Sequence, residues 1–133
     1  MKEKFVPNHL HLLIKGHFNS PPITEDILNS FFINLIKKVK MRVLTNPVSI
    51  RVDDEPGNEG ITGTVTLSTS HSSMHIWDKE IPSMFQFDLY SCCEFNPKEV
   101  LEFLDENFDL IDYQYWFIDR NGDKFNLISS GEM

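Results

Sequence analysis

At 133 residues the chain has the length of a single domain, 1–133, and enough of it to bury a core; 41% hydrophobic and 24% charged residues are an ordinary globular balance. A formal net charge of −8, with 12 Lys and Arg against 20 Asp and Glu, excludes the basic surface that phosphate binding needs, so no nucleic-acid partner is expected. No apolar run is long enough to span a bilayer, and the opening Met-Lys-Glu-Lys-Phe-Val-Pro-Asn lacks a signal peptide's apolar segment, so a cytoplasmic protein without a membrane partner is expected.

Residues 8–18 read as a first strand, ended by Asn19-Ser20-Pro21-Pro22. Thr24 suits the N-cap of a helix, with Glu25 and Asp26 in the first turn where the dipole favours acids. Ile27, Leu28, Phe31, Phe32, Leu35, Ile36 and Val39 then recur at helical spacing, a wide apolar stripe that predicts a helix lying on a sheet face. Lys37, Lys38 and Lys40 occupy its last turn, where cations are favoured. Residues 41–52 read as a second strand bent at Asn46-Pro47, since proline donates no ladder bond and suits an edge. Asp53 to Glu59 is a polar turn.

Three consecutive strands follow between Gly60 and Cys93. Residues 64–69 and 84–90 alternate polar and apolar side chains, the period of half-buried strands. Asn96-Pro97 supplies an N-cap and an N1 proline, and Val100, Leu101 and Leu104 the apolar face of a second helix. Residues 113–118 are strand-like and aromatic, Asn121-Gly122 signals a type I′ hairpin, 124–128 is a short closing strand and 129–133 a loose tail. The order β-α-β-β-β-β-α-β with a closing hairpin predicts an α+β two-layer sandwich: a mainly antiparallel sheet with two helices on one face. Cys92 and Cys93 are neighbours on a strand, so they should face opposite ways and not pair easily, leaving free thiols of which only one faces a given site.

The central strands carry Gly60-Ile61-Thr62-Gly63, Thr69-Ser70-His71, Met74-His75-Ile76-Trp77 and Asp88-Leu89-Tyr90-Ser91-Cys92, in that order. Taken singly, these residues say little. Ser70 alone reads as a turn hydroxyl, His75 as a satisfied sheet histidine, and a buried cysteine as a small hydrophobe. His9, His11, His17, His71 and His75 match no strong zinc spacing, so no metal is expected. There is no Gly-x-Ser-x-Gly elbow of a serine hydrolase.

Together, the four segments resemble the hallmark of the prokaryotic S-adenosylmethionine decarboxylase family, small self-processing enzymes with a βαβββαβ core; the resemblance covers residues 8–119. It implies that the Ser70 hydroxyl attacks the Thr69 carbonyl and turns the amide into an ester. Elimination and hydrolysis then separate residues 1–69 from residues 70–133 and leave a pyruvoyl group made from Ser70. That ketone forms a Schiff base with the substrate amine and accepts the electrons left by departing CO2, without metal or added cofactor. The resemblance further gives His75 the removal of the Ser70 α-proton, a task suited to an imidazole. Thr62 assists processing, and Cys92 reprotonates the product. The product would be decarboxylated S-adenosylmethionine, the aminopropyl donor for spermidine and other polyamines.

Glu80, then Asp78, are the candidate acids for the ribose hydroxyls, and Trp77 or Phe5 the candidate rings for the adenine. Thr69 stands where the family most often has Glu, and the loop before Gly60 carries no aromatic residue. Thr62 and Ser70 would lie roughly 26 Å apart on one extended strand at ~3.3 Å per residue, and Ser70 and His75 have odd separation with a bend between them. A single subunit would then not gather all four residues. This fits the family's homodimer, in which Ser70 and Cys92 of one subunit meet Thr62 and His75 of the other. The alternatives are a pyruvoyl decarboxylase of the same fold acting on arginine or ornithine, and an unprocessed, non-catalytic homologue that binds a ligand or partner.

Overall fold

The structure, a computed structural model, describes residues 3–133. Nine elements succeed one another: β1 (Leu10–Phe18), α1 (Glu25–Lys38), β2 (Val48–Val52), β3 (Gly60–Leu67), β4 (Ser70–Trp77), β5 (Ser83–Ser91), α2 (Pro97–Phe108), β6 (Leu110–Asp119) and β7 (Asn126–Glu132). The seven strands form one sheet in the order β2-β3-β4-β5-β1-β6-β7, with every neighbouring pair antiparallel. This is the expected two-layer α+β sandwich.

Strand alternation decides which face the helices take. Leu12, Ile14 and Phe18 of β1, Met74 and Ile76 of β4, and Phe85, Phe87 and Leu89 of β5 all turn to one side and are buried. Leu28, Phe31, Phe32, Leu35 and Ile36 of α1, and Val100, Leu101, Leu104 and Phe108 of α2, close over them. Each such side chain taken fully out of water contributes about 1.5–3 kcal/mol. Phe18 stacks on Phe85 with ring centroids 3.9 Å apart and meets Phe108 at 5.0 Å, which ties the first strand to the second helix. The caps form as the sequence predicts: Thr24 accepts from the Ile27 amide (3.2 Å) and Asn96 from the Lys98 amide (3.0 Å). Gly63 has a steric reason to be glycine. A Cβ there would sit 2.6 Å from Leu28 and 2.9 Å from Phe32, so its absence lets α1 settle on β3.

Three local expectations are corrected. Only 48–52 of the second predicted strand pairs in a ladder, as the edge strand β2; before it, Val43 makes one isolated bridge to Leu67 and the Leu44 amide bonds the Thr66 carbonyl (3.0 Å). Asn121-Gly122 is not a type I′ turn, because only Gly122 has positive φ. Asn121 instead acts through its side chain, accepting from the His9 amide (3.0 Å) and donating to Asn8 Oδ1 (2.8 Å). The closing strand starts later and runs longer than expected, so the tail is paired: the Met133 amide bonds the Tyr113 carbonyl at 2.9 Å.

Candidate active site

β3 and β4 form a hairpin whose register runs from Ile61 opposite Ile76 to Leu67 opposite Ser70, with only Ser68 and Thr69 between the strands. So tight a reversal requires a left-handed residue, and Thr69 takes φ 48°. A β-branched residue pays steric strain there, of about 1–2 kcal/mol. The strained residue is the one whose carbonyl the resemblance assigns to cleavage.

Ser70 starts β4 and is held by the preceding turn and by the chain just past the end of β5. Its hydroxyl donates to the Ser68 carbonyl (3.1 Å) and accepts from the Cys92 amide (2.9 Å). The Cys92 thiol donates to the same Ser68 carbonyl at 3.2 Å, so one oxygen pins hydroxyl and thiol together. Burial disfavours the Cys92 thiolate, but hydrogen bonds from the Ser70, Thr69 and Cys93 side chains outweigh it and hold its pKa below the ordinary thiol value. The two cysteines do not face opposite ways. β5 ends at Ser91 and the chain bends, which leaves the two Sγ atoms 3.8 Å apart, both thiols free.

Thr62 and His75 are directly opposite each other in the β3–β4 register, and Thr62 Oγ1 lies 3.0 Å from His75 Nδ1. A cavity of about 130 Å³ beside them is lined by Asn58, Gly60, Thr62, His75 and Trp77. Thr62 and Ser70 are therefore not on one extended strand, and the 26 Å separation does not apply. β4 is also continuous, with no bend between Ser70 and His75. Five residues of strand put the two pairs roughly 17 Å apart at ~3.3 Å per residue. Their odd separation sends them to opposite faces: Ser72, Met74 and Ile76 point under the helices, His71, Ser73, His75 and Trp77 to the uncovered side. The structure brings Ser70 to Cys92 and Thr62 to His75, and keeps the pairs apart within one chain.

The expected substrate acids fare differently. Asp78 is committed to Arg51, which approaches it through both terminal guanidinium nitrogens, Nη1 and Nη2; the Asp78 side chain is 8% exposed. The hydrogen bond to Asp78 raises the Arg51 pKa further, against a smaller opposing effect of burial. Arg51 also donates to the Ile23 carbonyl (3.0 Å), so this ion pair clamps β4 to the approach to α1, and Asp78 is not open to ribose hydroxyls. Glu80 lies exposed in the turn between β4 and β5. Trp77 is beside His75, ring centroids 6.3 Å apart, with its indole nitrogen donating to Asn58 Oδ1 (2.9 Å). Phe5 is 65% exposed.

A second constellation was not anticipated. Asp88 on β5 accepts from the Ser73 amide (3.1 Å) and hydroxyl on one oxygen, and from His11 (2.8 Å) and His71 (3.3 Å) on the other. Desolvation raises its pKa, but the His11 and Ser73 hydrogen bonds and the two imidazoles outweigh this and leave it below the usual carboxylate range. The His11, His71 and Asp88 ligand atoms lie within 4.8 Å of one another, close enough for a cation. Arg120 speaks against one: its guanidinium can only donate to His11 Nδ1 (3.2 Å), so His11 Nε2 keeps a proton for Asp88 and is no open ligand. All five histidines of the chain stand on the uncovered face, or run onto it from β1. Period-2 alternation could have signalled that clustering; the meeting at Asp88 depends on the register of three strands.

The family model for S-adenosylmethionine decarboxylase matches residues 21–121. Among solved structures, "Crystal structure of Trypanosoma brucei AdoMetDC-delta26 monomer" aligns with a TM-score of 0.54 over 84% of this chain, at 11% sequence identity. The chain matches 46% of that trypanosomal chain, about half its length, and the likeness is one of fold. No curated protein matches in sequence. No helix among the described residues is long and apolar enough to cross a membrane. The family match spans most of the chain and includes every hallmark segment from Gly60 to Cys92, and on that ground the chain belongs to the S-adenosylmethionine decarboxylase family.

Proposed function

We propose that the chain is a self-processing, pyruvoyl-dependent S-adenosylmethionine decarboxylase proenzyme of the cytoplasm, working in polyamine biosynthesis as a homodimer. The observation that carries the reading is the contact at the hairpin tip, where the Ser70 hydroxyl and the Cys92 amide and thiol converge behind left-handed Thr69. Ser70 is the right residue type for the first step, because its hydroxyl can attack the Thr69 carbonyl and later carry it away as a carboxylate. Strain at Thr69 favours opening that peptide bond. Removal of the Ser70 α-proton expels the Thr69 carboxylate, and hydrolysis releases the nitrogen as ammonia.

A pyruvoyl group at residue 70 would supply the carbonyl that takes up the substrate amine and the electron sink for decarboxylation. The residues around Ser70 fit such a group. The Cys92 amide, which now donates to the hydroxyl, would hold an oxygen there, and the Cys92 thiol would deliver a proton to the product carbon. The hydrogen bonds that lower its pKa ease the release of that proton.

The separation of the two pairs supports the homodimer. Ser70 and Cys92 of one subunit would face Thr62 and His75 of the other, which stand on the uncovered sheet face with exposed Val48 and Ile50. Glu80 and Trp77, near His75 in the chain, would come to the substrate from that second subunit.

The test is direct. Purified protein should give two chains on a denaturing gel, with 70–133 blocked to Edman sequencing, while Ser70→Ala stays one chain. CO2 release from carboxyl-labelled S-adenosylmethionine, arginine and ornithine, measured in parallel, should come from S-adenosylmethionine alone. Release from arginine or ornithine only would move the substrate and keep the mechanism; a wild-type chain that stays intact would leave a non-catalytic binding protein.

A further inference from the structure

The proposed decarboxylation gives Cys93 no part, yet the fold holds it against Cys92, which is given one. The bend after β5 is fastened by Ser91, whose hydroxyl accepts from the Cys93 amide (2.9 Å) and donates to the Cys93 carbonyl (2.7 Å). This bend brings the sulfurs to 3.8 Å. Cys92 is 6% exposed, and half-buried Cys93 gives the pair its access to solvent. The two thiols are also unequal: the Cys92 thiolate is favoured, whereas burial and the neighbouring Cys92 sulfur raise the pKa of Cys93. Cys92 is the better nucleophile of the two, with the Cys93 sulfur in contact with it.

We propose that Cys92 and Cys93 form a reversible oxidation site that closes to a vicinal disulfide on meeting a hydroperoxide, withdrawing the Cys92 thiol from Ser70. The chemistry balances. The Cys92 thiolate attacks a peroxide oxygen, breaks the O–O bond and becomes a sulfenic acid as hydroxide or alkoxide leaves. The Cys93 sulfur then attacks the sulfenic sulfur; the S–S bond forms, the S–O bond breaks, and the hydroxyl departs with the thiol proton as water. Two electrons pass from the two sulfurs to the peroxide.

Closure from 3.8 Å to a bond of ~2.05 Å is a local movement, and neither cysteine belongs to a strand or helix that would resist it. Adjacent Cα atoms are ~3.8 Å apart, below the usual span of a disulfide, so the bond is strained and readily reduced. That makes it a switch and not a structural staple. Loss of decarboxylation on closure rests on the role proposed for Cys92; the disulfide does not.

The experiment treats the purified protein with hydrogen peroxide, denatures it in an alkylating reagent and reads the intact mass. The species carrying residues 70–133, or the whole chain if it is unprocessed, should lose two hydrogens and take up no alkyl group. Dithiothreitol should restore both thiols and, in processed enzyme, full decarboxylation. Cys93→Ala and Cys93→Ser should gain oxygen stepwise at Cys92, with activity that dithiothreitol fails to recover. A wild-type protein that gains oxygen in the same way, or that links two chains, would overturn the oxidation site. An internal disulfide that forms without loss of decarboxylation would overturn its coupling to activity.

Discussion

The two ends of β4 are built differently, and the proposed function gives each a different half of one chemistry. At Ser70 the strand has just emerged from a strained two-residue reversal, and its hydroxyl is held by Ser68 and Cys92. Five residues on, His75 faces the other side of the sheet and bonds Thr62 on a regular ladder. One end is irregular backbone that would position the proposed electrophile and thiol, the other regular backbone that would position the proposed proton acceptor. Paired on both sides, a strand is too stiff to bring its own ends together, so chemistry that uses both ends calls for a second copy.

The largest effects test that division of labour. Ser70→Ala and His75→Ala should each abolish self-cleavage. Co-expressed with separate tags, the two variants should cleave only the His75→Ala chain, whose Ser70 meets the intact His75 of its partner. Cleavage of neither chain would place the whole site within one subunit.

Cys92→Ala should separate processing from turnover. The backbone amide that holds Ser70 remains, so two chains should still form. CO2 release should fall by about 10²–10⁴-fold, the usual worth of a positioned proton donor. Equal losses in both would mean that the thiol also serves cleavage.

Smaller effects are expected where side chains support the strands. Asp78→Ala leaves a half-buried Arg51 with only exposed Asp53 and a carbonyl, and should cost about 3 kcal/mol in denaturant unfolding, the low end for a broken buried pair because Arg51 is partly exposed. An unchanged unfolding midpoint would show the clamp to be dispensable. Asp88→Asn should cost about 2 kcal/mol at pH 7, the loss of a charge-assisted hydrogen bond. Since the folded Asp88 has the lower pKa, its stabilisation is present above the ordinary carboxylate range, near pH 4, and is lost as pH falls through the folded value. The gap between wild type and variant should therefore close on acidification; a gap constant from pH 7 to pH 3 would contradict the ionised hub.

What could be read from the sequence was local or periodic. The α1 stripe from Leu28 to Ile36 and the alternation of 84–90 each fix an element from within a short window, and capping by Thr24 and Asn96 is a matter of two or three residues. The family pattern drew attention to Thr62, Ser70, His75 and Cys92. Their grouping into two pairs depends on the hairpin reversing at Ser68-Thr69, which lies inside a run that alternates like continuous strand. The Asp78–Arg51 pair and the Asp88 hub join residues 27 and up to 77 positions apart, and no spacing rule reaches that far. The approach of the two sulfurs depends on where β5 stops, a single residue before Cys92.

The sheet order has a consequence for what would remain after the proposed cleavage. Residues 1–69 supply β1, α1, β2 and β3; residues 70–133 supply the other five elements. Because β1 lies between β5 and β6, the N-terminal fragment is threaded through the middle of the C-terminal fragment's sheet. Cutting the β3–β4 turn severs the covalent connection and removes no ladder, so the fragments should co-elute until denatured. The molecularity of folding changes nonetheless: an uncut chain forms its subunit from one molecule, a cut chain from two. The urea midpoint of the processed protein should therefore rise more steeply with concentration than that of Ser70→Ala, and its fragments, once separated and diluted, should fail to recover the fold that the intact chain regains.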